Sequence, residues 1–465
     1  MNPEQSAVKV TDVSLYFIPV KMRVPLKFGN QVMDSVTCAR AKVTVEGADG
    51  TTAIGWGETP VAVGWAWPAP IDYEVRHTDM KNFTKALCPA FAQSETKGHA
   101  FDIGHAFIND RLEELRSEFN AGKSEEEALP HLAALICFSL FDIATHDAFG
   151  NLHQVPVYET YNADWMAHDL SHYLEAAEGS DVSFDGLYPA DFFVDNPPQL
   201  LPVWHLVGGL DPIGESELTG EEPDDGYPVL LRDWIERDGL NCLKIKLRGN
   251  DRDWDYDRLL NIGKIAIEEN VDWLTTDFNC TVQNPDYVNG ILDELRDTAA
   301  AIYQRILYVE QPFPYDMEAN RVDVHSVSAR QPLFMDESAH DWRFVRLGRE
   351  LGWTGVALKT CKTQTGALLS LCWAKAHGMT LMVQDLTNPM LAQVPHFLLA
   401  AHAGTIMGVE CNAMQFYPEA SLPEAEVHPG LYQRRKGVLD SSTLSGSGFG
   451  YRVDEVKREL PEAIA

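Results

Sequence analysis

Six charged residues close successive short apolar runs: Lys244 and Lys246 in NCLKIKL, Asp277 in DWLTTDF, Glu310 in RILYVEQ, Asp336 in PLFMDES and Lys359 in GVALKTC. If those runs are neighbouring parallel strands, Asp277, Glu310 and Asp336 converge at one edge of the sheet end. Three uncompensated carboxylates there repel one another and raise each other's pKa, and a cation among them resolves the conflict. An all-oxygen donor set suits a hard divalent ion, magnesium before zinc. Histidine and cysteine sets with zinc spacing are absent. The alternation of Lys244, Ile245 and Lys246 sends both ammonium groups to one face of their strand, and inside a barrel two such groups are costly without partners. Crowding and partial burial lower a lysine pKa and suit it to act as a base. Lys359 comes from a strand across the mouth. Two lysines facing each other over a metal-bound substrate can remove and return a proton on opposite faces. A single acidic strand end reads equally well as a solvated loop start or a helix cap. Recurrence on three successive strands, flanked by lysines, points instead to a site at the C-terminal face of a barrel.

The elements that must position these residues follow from the rhythm of the chain. From Leu201 onward, eight strand candidates alternate with amphipathic segments: LPVWHLV, the five runs above, GMTLMVQ and TIMGVEC. Segments such as DRDWDYDRLLNIGKIAIEEN and TGALLSLCWAKAHG read as helices. Repeated β-then-α units argue a parallel sheet, and eight of them argue a (β/α)8 barrel of the α/β class. No glycine-rich phosphate loop follows an early strand, which weakens a dinucleotide-binding alternative. The first hundred-odd residues read as α+β. Val8 to Pro19 and Ala39 to Glu46 have strand character, Asp49-Gly50 signals a turn before Ala53-Ile54, and Leu129 to Phe149 has helical periodicity. Residues 159–200 and 210–228 are rich in Asp, Pro, Gly and Ser and read as long insertions, functional or mobile.

Composition removes other classes. The chain has 465 residues, 45% of them hydrophobic, enough for a large core and more than one domain. A formal net charge of −32 repels nucleic acid and anionic membranes. No apolar stretch of about 18 residues is evident, so no membrane span is expected, and no leader with a basic segment before an apolar run is seen. The eight cysteines are scattered without CxxC pairs and read as buried thiols of a cytoplasmic protein.

With these residues in place, the chain resembles the muconate lactonizing enzyme subgroup of the mandelate racemase/muconate lactonizing enzyme family, in the enolase superfamily. The likeness also covers Gly55-Trp56-Gly57-Glu58, similar to the family's Gly-aromatic-Gly-Glu turn. Ile143-Ala144-Thr145-His146-Asp147 and Gln154-Val155-Pro156-Val157-Tyr158 resemble the helix leading into the barrel. The resemblance implies a capping domain over residues 1–158, an insertion at 159–200, the barrel over 201–414, and a segment 415–465 returning to the cap. It implies Lys246 as acid/base, Lys244 as its electrostatic neighbour, Lys359 as the opposing lysine, and Asp277, Glu310 and Asp336 as ligands of Mg2+. The implied reaction is abstraction of the α-proton of a small carboxylate substrate through an enediolate, which a metal and preorganised charges stabilise. Sites of this superfamily pair a Lys or His base with magnesium. Racemisation, epimerisation, cycloisomerisation or elimination would follow, in a protein that, like its family, forms homo-oligomers.

The chain departs from the subgroup. Lys362 is present after Lys359, but Gln364-Thr365 stands where paired glycines are common. The seventh strand ends in Gln384-Asp385-Leu386-Thr387-Asn388 in place of a Glu. Glu410-Cys411-Asn412 lacks the Asp-x-Asp of dipeptide epimerases. Candidate substrate contacts are Lys27 and Phe28 in Lys27-Phe28-Gly29-Asn30, Trp65 in Gly64-Trp65-Ala66-Trp67, and Asn279, Asp385, Asn388 and Glu410. Trp65 and Trp67 could equally fill the core of the cap. Cys280, Cys361 and Cys411 follow strand ends without a ligand role, and His340 reads as a loop residue. The rival readings are an acid-sugar dehydratase, which would need a histidine at the end of strand seven, and a non-catalytic barrel that binds metal or ligand.

Overall fold

The computed structural model describes residues 3–28 and 31–464. Its first unit is an antiparallel sheet of β1 (Val8–Phe28), β2 (Gln31–Gly47) and β3 (Thr52–Pro60), paired in that order. The Asp49-Gly50 turn joins β2 to β3 as expected, with Gly50 at φ 80. The helix His131–His153 lies on this sheet, and nearly all its residues are buried. It is the one helix among the described residues long and apolar enough to cross a membrane, and its apolar window is wholly inside the protein. The expectation that no such stretch exists is therefore corrected. A helix apolar all round is what the centre of a packed domain requires.

The Gly-Trp-Gly-Glu segment lies within β3 and forms no turn, which also corrects the sequence expectation. Gly55 and Gly57 share one face of the strand and meet Leu140, Ala144 and Ala148, which share one face of the helix. A Cβ built on Gly55 would lie 2.1 Å from Ala144 O and from Ala148 N. The helix sits this close only because the strand offers no side chain there. Gly55→Ala is expected to lower stability by about 1–3 kcal/mol through overpacking. An unchanged midpoint in urea would contradict this packing.

Asp147 on the same helix holds three segments at once. It accepts from Trp56 N at 2.9 Å, from Asn151 Nδ2 at 3.1 Å and from Phe449 N at 2.8 Å. Burial pushes its carboxyl up from 3.8 to about 7 despite those hydrogen bonds. An acid with a raised folded pKa stabilises below its unfolded pKa, and that contribution is lost as pH rises through the folded value. The stability advantage of the wild type over Asp147→Asn should therefore shrink between pH 3.8 and about 7. Urea titrations at both ends of that window test the sign.

The second unit is a curled parallel sheet. Its strands are β4 (Leu200–Val207), β5 (Cys242–Lys246), β6 (Trp273–Asp277), β7 (Ile306–Glu310), β8 (Leu333–Met335), β9 (Gly355–Leu358), β10 (Thr380–Val383) and β11 (Val409–Glu410). All eight coincide with the runs read from the sequence. Ladder pairs run from β11 through β4 and onward to β10, and Ile406 N donates to Leu381 O at 2.8 Å across the remaining seam. A short β12 (Val438–Asp440) pairs antiparallel with β4. Helices Arg252–Glu268, Pro285–Thr298, Trp342–Leu351, Gln364–Ala376 and Gln393–Ala403 cover the outside. Two units depart from a uniform repeat: β7 is followed by one turn, His325–Ser328, and β11 by short turns beginning at Ala413–Phe416.

Strand alternation fills the interior. Trp204, Cys242, Tyr308, Phe334 and Met382 form a layer inside the sheet, with Tyr308 and Phe334 stacked at 4.3 Å. Leu243 and Ile245 face the outer core. The 159–200 insertion contains only short 3-10 turns, yet it is anchored. Tyr161, Leu170, Tyr173 and Phe184 are buried in the main core, and Trp373 Nε1 donates to Glu175 O at 2.9 Å while Lys375 Nζ donates to Phe192 O at 2.7 Å.

Candidate active site

The C-terminal ends of the parallel strands carry the charged residues, and the sheet register brings them together. Lys246 pairs with Asp277 across β5 and β6, and Asp277 with Glu310 across β6 and β7. Lys244 and Lys246 point inward with Cys242, as their alternation requires. Lys244 Nζ lies 2.6 Å from Glu310 Oε1, 3.0 Å from Glu410 Oε2 and 3.2 Å from Asp277 Oδ2. Lys246 Nζ donates to Asp277 Oδ2. Opposite, Lys359 Nζ donates to Asp385 O at 3.0 Å and lies 3.3 Å from Asp336 Oδ2. Lys362 Nζ donates to Asp336 O at 2.5 Å.

Burial and charge set the protonation of this cluster. Desolvation pulls Lys244 down, but Glu310, Glu410 and Asp277 outweigh it and hold the ammonium well above its usual range. Lys359 behaves alike: burial lowers it, Asp336 raises it, and the net is a rise. The lowering expected for the Lys-x-Lys pair does not hold for Lys244, because carboxylates and not cations are its nearest neighbours. Lys362 does shift down, through burial. Burial raises Glu310 well above the carboxylate range, with Asp277 and Asp336 adding to it, and raises Glu337 to about 7 and Asp385 to about 6.

The donors are of the chemistry that a hard divalent cation takes, carboxylate oxygens. Six buried carboxylates, Asp277, Glu310, Asp336, Glu337, Asp385 and Glu410, face four buried ammonium groups, Lys244, Lys246, Lys359 and Lys362. If all are ionised, two negative charges are left uncompensated. Asp336 Oδ1 and Glu337 Oε2 are buried without a hydrogen-bond partner. Among the described residues, no three His, Cys, Asp or Glu side chains stand gathered as a ready cage. Here the ammonium of Lys244 is the counter-charge between Asp277 and Glu310.

Supporting residues fix the carboxylates. Gln384 Nε2 donates to Glu310 Oε2. Asn279 N donates to Asp277 Oδ1 at 2.8 Å. Gln311 Oε1 accepts from Asp336 N at 2.7 Å and from Ser338 Oγ at 2.8 Å. Asn412 Nδ2 bridges Asp385 Oδ1 at 3.2 Å and Glu410 Oε1 at 2.7 Å. Several residues just beyond the strand ends have positive φ without being glycine: Asn279, Cys280, Gln311, Thr363 and Thr387. Such strain clusters at sites where geometry is held by surrounding contacts.

A small pocket of about 40 Å³ lies over these groups, lined by Lys244, Lys246, Asp336, Lys359, Asp385 and Glu410 below and by Leu26, Phe28, Met33 and Trp65 of the cap above. Lys359 Nζ is 5.1 Å from the Trp65 ring centroid, and Lys246 Nζ is 5.9 Å from that of Phe28. Phe28 and Trp65 also wall an outer cleft that includes Asn279 and Glu337, so the two spaces share these rings as a wall. Asp385 and Glu410 line the pocket as read from the sequence. Lys27 does not. β1 continues through Phe28, so Lys27 points to the opposite side from Leu26 and Phe28, toward Gly209. Asn388 is buried behind the pocket, its N donating to Asp385 Oδ2 at 3.0 Å. Gly29 and Asn30 lie outside the described residues. Trp67 belongs to the core of the cap. His340 is buried against Phe344. The sequence reading assigned no role to Glu337, Gln384 or Asn412, although each stands within two residues of a strand end that it did single out.

Residues 228–457 match the family model described as enolase C-terminal domain-like. No curated protein matches the chain significantly. Solved structures with the same fold include the muconate lactonizing enzyme of Mycobacterium smegmatis complexed with muconolactone, at TM-score 0.60 and 15% identity over 98% of this chain and 100% of that one. The dipeptide epimerase of Enterococcus faecalis, complexed with Mg and L-Leu-L-Tyr, aligns at TM-score 0.60 and 16% identity over 95% and 99% of the two chains. The N-succinyl Arg/Lys racemase of Bacillus cereus aligns at 0.57 and 17%, covering 97% of each.

Proposed function

We propose that this chain is a member of the mandelate racemase/muconate lactonizing enzyme family of the enolase superfamily, a reading the family-model match supports, and a Mg2+-dependent enzyme that moves the α-proton of a small carboxylate. The ring of strands is read as closed through the Ile406–Leu381 bond. One observation carries the proposal. Lys246 ends the second barrel strand and Lys359 the sixth, half a ring apart, with Asp277, Glu310 and Asp336 on the three strands between. Asp277, Glu310 and Asp336 would hold the cation, which when bound would stabilise negative charge developing on the substrate carboxylate.

The chain's own residues supply the rest. Lys246 and Lys359 take and return the α-proton on opposite faces. Lys244 keeps a positive charge beside Glu310 and Asp277. Phe28 and Trp65 exclude water, which strengthens every charge interaction beneath them. The lid residues Leu26, Phe28, Met33 and Trp65 are apolar, which favours a carboxylate with an apolar body, such as an N-acyl amino acid or an aromatic succinate, over an acid sugar. Eight free cysteines accord with a cytoplasmic protein.

Proton NMR in heavy water with Mg2+ tests this reading, using pools of N-acyl amino acids, dipeptides, aromatic succinates and acid sugars. The expected result is loss of one α-proton signal, with the skeleton retained for racemisation and water lost for dehydration. Absence of exchange in every pool, with the metal shown to bind, would count against it.

A further inference from the structure

We infer that Tyr161, near the start of the 159–200 insertion, is a positioning residue for Lys359, because it anchors a chain of buried hydrogen bonds that fixes the turn from Lys359 to Thr365. The inference rests on the proposed acid/base role of Lys359. That turn needs holding. After β9, Thr360–Lys362 form one 3-10 turn, Thr363 has φ 73, and the helix Gln364–Ala376 begins at once. A β-branched residue in the left-handed region is strained and persists only where its surroundings over-determine it. On one side of Thr363, Lys362 Nζ is tied to Asp336 O. On the other, Thr365 is tied twice to Asp142 of the helix His131–His153, its N donating to Oδ2 at 2.9 Å and its Oγ1 to Oδ1 at 2.8 Å. Asp142 thus caps, from the first unit, the N-terminus of a helix in the second.

The donors in this chain point one way. Burial raises Asp142 to about 6, so it is ionised at neutral pH and only accepts. The single hydroxyl proton of Thr365 goes to it, and Thr365 Oγ1 therefore accepts from His146 Nε2, 2.9 Å away. His146 Nδ1 is left to accept from the Tyr161 hydroxyl at 3.0 Å. Burial pushes the imidazole down to about 3, so it stays neutral and one tautomer serves. Tyr161, His146, Thr365 and Asp142 are all fully buried. The packing leaves no slack, since a Cβ on Gly104 would lie 2.0 Å from Asp142 Oδ1 and 2.4 Å from Thr365 Oγ1. The insertion folds back on the anchor, with Ala190 N donating to Tyr161 O at 3.0 Å. Alongside, Gln364 Nε2 donates to the Tyr158 hydroxyl at 3.1 Å. Gln364-Thr365 stands where the sequence reading notes paired glycines, and glycines could make none of these side-chain bonds.

Backbone amide exchange by mass spectrometry, together with α-hydrogen exchange on the substrate, tests the inference. Tyr161→Phe removes the first donor and keeps the ring. Lys375→Met removes a different anchor of the same insertion, the bond to Phe192 O, and serves as the control. Tyr161→Phe is expected to speed amide exchange over residues 360–366 at least roughly tenfold and to leave 242–246 unchanged. It should also slow substrate exchange about tenfold on the Lys359 face alone, as a small misplacement of a catalytic group does. Lys375→Met should do neither. Unchanged protection over 360–366 in Tyr161→Phe, an equal loss in Lys375→Met, or equal slowing of both faces would overturn the inference. A wild type that exchanges no α-hydrogen would count against the proposed function alone, and the amide measurement would still decide whether Tyr161 holds the turn.

Discussion

Replacing Lys246 or Lys359 with Ala should each stop α-hydrogen exchange on one face of the substrate, with a rate loss of about 10³-fold, within the range for removal of a positioned acid/base. The face dependence is what separates chemistry from damage. The two ammonium groups stand on strands half a ring apart and use different partners, Asp277 for Lys246 and the Asp385 carbonyl with Asp336 for Lys359. A variant that lacks one lysine therefore keeps the other's surroundings. With a substrate from the exchange screen, Lys246→Ala should still wash out deuterium from one enantiomer and Lys359→Ala from the other. Variants that both retain exchange within tenfold of wild type on both faces would remove the lysines from the mechanism. Lys244→Ala should give a different pattern. Its Nζ touches three carboxylates, so both faces should slow together.

Why so much of this site could be read from the sequence follows from the period of a strand. Side chains alternate every residue, so Lys244-Ile245-Lys246 could not be both buried and mixed in direction. A carboxylate that ends a parallel strand is at the mouth wherever the sheet curls. The same rule exposes the misplacement of Lys27. Had β1 been extended through Phe28, the alternation of Leu26, Lys27 and Phe28 would have turned the lysine away. The contacts of Gln384 were beyond reach for another reason. It donates to Glu310, 74 residues earlier in the chain, and no local periodicity encodes a partner across the curled sheet. The 159–200 insertion read as functional or mobile because it is rich in Asp, Pro, Gly and Ser. Its apolar residues, Tyr161, Leu170, Tyr173 and Phe184 among them, anchor it in the core.

Arg40→Ala should cost about 3–5 kcal/mol of stability, the range for breaking a buried ion pair from one side. Arg40 and Glu58 face each other across β2 and β3, and Arg40 Nε donates to Glu58 Oε2. The second guanidinium arm lies 3.4 Å from Glu424 Oε1. Glu424 is in turn held by Arg458 Nε at 2.6 Å. Arg40, Glu58 and Glu424 are each at most 2% exposed. The quartet ties the sheet of the cap to the C-terminal segment, which also returns a backbone bond from Ile464 N to Leu15 O at 2.8 Å. Its charges balance, and burial already holds Glu58 above the usual carboxylate range. Without Arg40, two buried carboxylates share one guanidinium, so the loss comes from an unpaired charge more than from a missing contact. The double substitution Arg40→Met/Glu58→Met removes a matched pair and leaves Glu424 with Arg458. It should recover most of the loss seen in Arg40→Ala. Urea unfolding of the three proteins decides between the accounts. A double variant as unstable as the single one would mean that the pair contributes through its specific hydrogen bonds, and that the cap depends on that geometry to seat Phe28 and Trp65 over the lysines.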